Sequence, residues 1–167
     1  MQTNSPAPDF SLPDVCGRIH RLSDYIGRLV IINFWSAECP WSEKADKYLL
    51  SLVERFPGQL VLLTIASNLN EDTDAVQQAA ADHGVKPLLI DEECQLANAW
   101  EAQTTPHIFM IDQAGILRYQ GAVDDVTFRK RIPEQFYVEE ALTAILDNRL
   151  PAIHETQPYG CTIVRDR

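Results

Sequence analysis

The sequence predicts an α/β fold with a central mixed sheet flanked by helices. Three observations predict it. Two near-continuous apolar runs, Leu29–Trp35 and Leu60–Ala66, read as strands buried on both faces. Between them runs a helical stripe of Ala45, Tyr48, Leu49, Leu52, Val53 and Phe56 at a 3.6-residue period. A strand, helix, strand order of this length implies a parallel, right-handed crossover. Further on, His107–Asp112 and Ile116–Gln120 flank the tight turn Gln113-Ala114-Gly115 and therefore pair antiparallel.

The remaining elements follow in chain order. Asp9–Leu12 and Gly17–Arg21 read as a short N-terminal β-hairpin, and Leu22–Tyr25 as one helical turn. Pro57-Gly58 stops the first long helix. A second helix carries Val76, Ala79, Ala80 and His83, followed by a short strand at Pro87–Ile90 and a helix near Leu96–Trp100. A last helix holds Val138, Ala141, Leu142, Ile145 and Leu146. Residues 151–167 have no helical stripe and are expected to form an irregular C-terminal tail on the surface or over the site. With no repeat, low-complexity tract or linker, 1–167 is expected to be one domain with its core at about 6–150.

The formal net charge of −10 argues against nucleic acid and anionic membrane surfaces as partners. The acidic clusters Glu71-Asp72, Asp91-Glu92-Glu93 and Asp124-Asp125 read as solvated surface. No apolar stretch approaches the roughly 20 residues that span a bilayer. Residues 1–8 have neither a basic nor an apolar stretch, so no secretory leader is visible and a cytoplasmic location is expected. Cys16, Cys39, Cys94 and Cys161 lack metal-ligand spacing, and His20, His83 and His154 show no grouping; no metal or cofactor is expected.

Cys39 carries the chemistry. It stands where the Leu29–Trp35 run gives way to a helix beginning Pro40-Trp41-Ser42. A thiol there faces about half an elementary charge of positive potential and several unpaired N–H groups. Both favour the thiolate, the reactive form, so a pKa below the ordinary value of about 8.5 is expected. Pro40 suits the first helical position. Ser42, three residues on, could donate its hydroxyl to the sulfur. Cys16 and Cys94 are expected to be structural. His107 could approach the sulfur as a base, although strand alternation favours a packing role. Trp35 and Trp100 read as core.

The segment Asn33-Phe34-Trp35-Ser36-Ala37-Glu38-Cys39-Pro40-Trp41-Ser42, followed by Thr105-Pro106, a hairpin and a helix, resembles the thioredoxin-like superfamily. The N-terminal hairpin and the added strand and helix resemble its bacterial redoxin branch, related to alkyl hydroperoxide reductase/thiol-specific antioxidant and TlpA-like proteins. Pro158-Tyr159-Gly160-Cys161-Thr162-Ile163 resembles the Gly-Cys-x-Ile ending of some members. The resemblance implies a thioredoxin-like fold and a cis proline at Pro106 facing Cys39. It also implies that the Thr105 backbone is free to pair with an extended substrate and that Trp41 lies beside the sulfur. The departures are a Cys-x-x-Ser site, with Ser42 in place of the second thiol, and Asn33 in place of a buried acid. Ile32 occupies a peroxiredoxin proline position, and Pro106 stands where those enzymes place an arginine.

The primary expectation is a monothiol thiol-disulfide oxidoreductase acting on protein or small-molecule disulfides and thiols. Cys39 would be the nucleophile, Ser42 the thiolate stabiliser, and Trp41, Thr105 and Pro106 the substrate-binding residues. Cys161 is the candidate resolving thiol, provided it lies near enough to bridge. A non-catalytic binding module using the same groove and a peroxiredoxin-like peroxidase are the alternatives.

Overall fold

The structure, a computed structural model, describes residues 1–166. A hairpin of β1 (Ser11–Pro13) and β2 (Ile19–Arg21) leads through a 3-10 turn at Leu22–Tyr25 into β3 (Leu29–Trp35). Then come α1 (Pro40–Arg55), β4 (Leu60–Ala66), α2 (Thr73–His83), β5 (Leu88–Ile90) and α3 (Gln95–Ala99). The second half holds β6 (Thr104–Thr105), β7 (His107–Ile111), β8 (Leu117–Gly121), α4 (Tyr137–Leu146) and β9 (Cys161–Thr162).

The main sheet has the order β5-β4-β3-β7-β8. Strands β3, β4 and β5 run parallel, while β7 and β8 are antiparallel additions on the other side. All seven residues of β3 are buried because the sheet is covered on both faces. Leu29 and Ile31 meet Ala45, Leu49 and Leu52 of α1 and Leu142 and Ile145 of α4. Val30, Ile32 and Phe34 point the other way, into Phe10, Leu96, Trp100 and Phe109. Trp35 and Trp100 are core residues.

Local chemistry fixes the helix ends. Cys39 is the extended N-cap of α1, with Pro40 at its first position. The Asp72 carboxylate caps α2 by accepting the Ala75 N–H at 3.2 Å, and Gly84 closes that helix in the left-handed conformation at φ 71°.

The tail departs from the sequence expectation. It is not irregular throughout. Its strand β9 pairs antiparallel with β6, setting Cys161 opposite Thr105 and Thr162 opposite Thr104. Ile163 beyond it is buried in the core, an anchor that a single apolar residue outside any periodic stripe does not announce. Cys16 departs as well: it sits exposed at the hairpin turn rather than packed.

Candidate active site

The C-terminal edge of β3 and the first turn of α1 set Cys39 against the Thr105–Pro106 peptide, which is cis. In its protonated form Cys39 Sγ donates to the Thr105 carbonyl at 2.9 Å. That bond favours the thiol. Burial also pushes the pKa up, but the sulfur is surrounded by donors that favour the thiolate: the Cys161 thiol, the Thr105 hydroxyl and the backbone N–H groups of Ser42 and Cys161. Together they hold Cys39 below the ordinary thiol range. The Cys161 thiol is pushed up to about 12, by burial, by its hydrogen bond to Cys39 and by the negative charges of Cys39 and Glu71. Of the two thiols, Cys39 is the more readily ionised and Cys161 the one that keeps its proton.

Several expected residues take different parts here. Cys39 is 2% exposed, because β9 closes over it. The hydroxyl of Ser42 is not aimed at the sulfur. It accepts the Ser36 N–H at 3.3 Å, and Ser42 acts on Cys39 through its own N–H. The Thr105 backbone is not free for a substrate strand, since Cys161 already occupies that edge.

Trp41 packs edge-on against Tyr159 with ring centroids 5.0 Å apart, and both line an apolar groove with Pro106, Ala122, Val123 and Phe136. His107 turns away from the sulfur. Its ring lies 4.5 Å from that of Phe109, its Nδ1 accepts the Gln103 N–H at 3.1 Å, and burial lowers its pKa to about 4. Cys94 is buried and donates to the Ser67 carbonyl at 2.8 Å. The Asn33 amide is buried, and among the described residues neither of its polar atoms has a hydrogen-bond partner.

Glu71 is a site residue that the sequence reading assigned to solvated surface. One carboxylate oxygen accepts the Ser36 hydroxyl and the Glu38 N–H, both at 2.9 Å, and the other accepts from Asn68 at 3.1 Å. It braces the loop before Cys39 from 32 positions away, the difference between residues 71 and 39. No local motif signals such a contact. Among the described residues no group of His, Cys, Asp and Glu could hold a metal ion.

Residues 3–120 match the AhpC/TSA family. The chain belongs to that family. It is 38% identical over 112 residues to the thiol-disulfide oxidoreductase ResA of Geobacillus kaustophilus (strain HTA426), a match spanning 66% of this chain and 64% of that protein. It is 32% identical over 112 residues to ResA of Bacillus subtilis (strain 168), across 66% of this chain and 62% of that relative. The chain therefore spans less than two thirds of these relatives' length. A solved structure described as an uncharacterized conserved protein from Geobacillus kaustophilus superimposes with a TM-score of 0.88 at 26% identity, covering 98% of this chain and 92% of that one. The family match ends at residue 120, but this superposition reaches into the tail. The fold is thioredoxin-like, within the redoxin branch of the superfamily.

Proposed function

We propose that this AhpC/TSA-family protein is a thiol-disulfide oxidoreductase whose working couple is Cys39 and Cys161. The Cys-x-x-Ser motif holds one thiol, but the site holds two. A mixed disulfide with a partner passes to an internal Cys39–Cys161 disulfide, with release of the partner as a thiol. Cys39 supplies the thiolate, and Thr105 and Pro106 position it. The observation that carries this reading is the strand pairing that sets Cys161 opposite Thr105, the residue whose carbonyl accepts from Cys39 Sγ at 2.9 Å. The ResA relatives, named as thiol-disulfide oxidoreductases, support the reaction class.

The test is mild oxidation followed by intact mass and peptide mapping. An internal link between residues 39 and 161 is expected in the wild type, with turnover of a disulfide substrate under a supplied thiol reductant. Both should be lost in Cys39→Ser. Unlinked cysteines together with no exchange would overturn the proposal. A Cys161→Ser variant that retains full turnover would restore the monothiol cycle.

A further inference from the structure

The two cysteines differ in exposure. Cys39 is 2% exposed beneath β9 and the Thr105–Pro106 peptide. Cys161 is partly exposed on the outer strand.

The cover over Cys39 is fastened at both ends. On one side, Tyr159 packs against Trp41 and its hydroxyl accepts the Phe128 N–H at 2.5 Å. On the other, the Ile163 N–H donates to the Gln103 carbonyl at 3.1 Å, and the Val164 carbonyl accepts the Leu69 N–H at 3.0 Å. Ile163 itself is 2% exposed. Arg165 extends the anchor to Asn98 at 2.8 Å and to the Ala102 carbonyl. Gly160 fits only because it lacks a side chain: a Cβ there would stand 2.1 Å from the Thr105 carbonyl oxygen. A strand seated this closely is part of the structure rather than a loose flap.

We propose that Cys161 is the sulfur through which this centre exchanges with outside thiols and disulfides, and that Cys39 is the interior member that closes and reopens the internal bond. The proposal rests on the Cys39–Cys161 couple proposed above. In the oxidised protein an outside thiolate attacks Cys161 Sγ. The bond from Cys161 to the attacking sulfur forms, the Cys39–Cys161 bond breaks, and the electron pair leaves on Cys39 as a thiolate. A second outside thiolate then attacks the outside sulfur of the mixed disulfide. The outside disulfide departs, and Cys161 leaves as a thiolate and takes up a proton. Two electrons pass from two outside thiols to one protein disulfide. The sulfur with the lower pKa is the better leaving group, and that sulfur is Cys39. The same steps in reverse reduce an outside disulfide to two thiols and re-form the Cys39–Cys161 bond.

The direct test pulses the oxidised protein with cysteamine, a small cationic thiol suited to the Glu71 carboxylate nearby. An acid quench, alkylation of free thiols and peptide mapping follow. The expected product carries cysteamine on Cys161 and the alkyl label on Cys39, in about tenfold excess over the reverse arrangement. Cysteamine mainly on Cys39, or on both equally, overturns the assignment while leaving the couple intact. Starting protein without an internal disulfide overturns the couple and the assignment together. Ile163→Asp removes the tail anchor and should move the adduct toward Cys39. An unchanged wild-type preference for Cys161 in that variant, with the tail shown to be released by limited proteolysis, overturns the shielding argument.

Discussion

Gly160 runs so close to Thr105 that its Cα leaves no room for a methyl group beside the Thr105 carbonyl. This contact sets the distance between the tail strand and the cis-proline segment, and with it the approach of Cys161 to Cys39. Gly160→Ala should therefore push β9 outward, at a stability cost of about 1–3 kcal/mol for the overpacked site. Internal disulfide formation should slow in parallel, and Cys39 should lose donors and titrate higher. Denaturant unfolding and thiolate ultraviolet absorbance against pH check both effects. A variant indistinguishable from wild type would show that the contact relaxes freely.

Cys161→Ala removes the thiol that donates to Cys39. The Cys39 pKa should rise, because burial, the largest cause, still pushes it up while the leading donor is gone and only the Thr105 hydroxyl and the backbone N–H groups remain. The same absorbance titration reads the shift. A fall in the Cys39 pKa would mean that the second thiol opposes ionisation.

Glu71→Gln keeps an acceptor for the Ser36 hydroxyl but removes a negative charge near Cys161. The Cys161 pKa should fall. It should remain above the ordinary range, since burial and the Cys39 thiolate, the larger causes, are untouched. Alkylation of Cys161 above neutral pH should quicken, and an unchanged rate would count against the charge.

His107 is buried neutral, with its pKa lowered to about 4 by burial. The unfolded chain takes up a proton near pH 6.5 that the folded chain refuses until about 4. Its contribution to stability is complete above pH 6.5 and is lost as pH falls through that window. Urea unfolding at pH 7 and at pH 4 should differ by about 1–3 kcal/mol more in wild type than in His107→Gln. Equal pH dependence in the two proteins would remove His107 from the acid response.

The fold was legible where a pattern lies within one segment. The β3 run, the α1 stripe and the turn at Gln113-Ala114-Gly115 each carry their own periodicity, and β3, α1 and the antiparallel pairing of β7 with β8 follow from them. Cys39 was legible for the same reason: it lies at a strand-to-helix junction with Pro40 after it. Contacts made across the fold were not legible. The burial of Cys39 depends on a two-residue strand from the far end of the chain. The Ser42 hydroxyl was expected to point at the sulfur from its spacing alone, but the turn before the helix offers it the Ser36 N–H instead. Glu71 lay inside an acidic pair that composition assigns to solvent, and only the packed loop shows what it holds.

The separation of Cys39 from its partner along the chain also sets an order of assembly. A ribosome delivers Cys39 early and the last strand of the main sheet, β8, well before Cys161. Until Cys161 emerges, Cys39 lacks half of the donors that sharpen it. A nascent polypeptide therefore carries a subdued Cys39 thiol until Cys161 has followed β8 out of the ribosome.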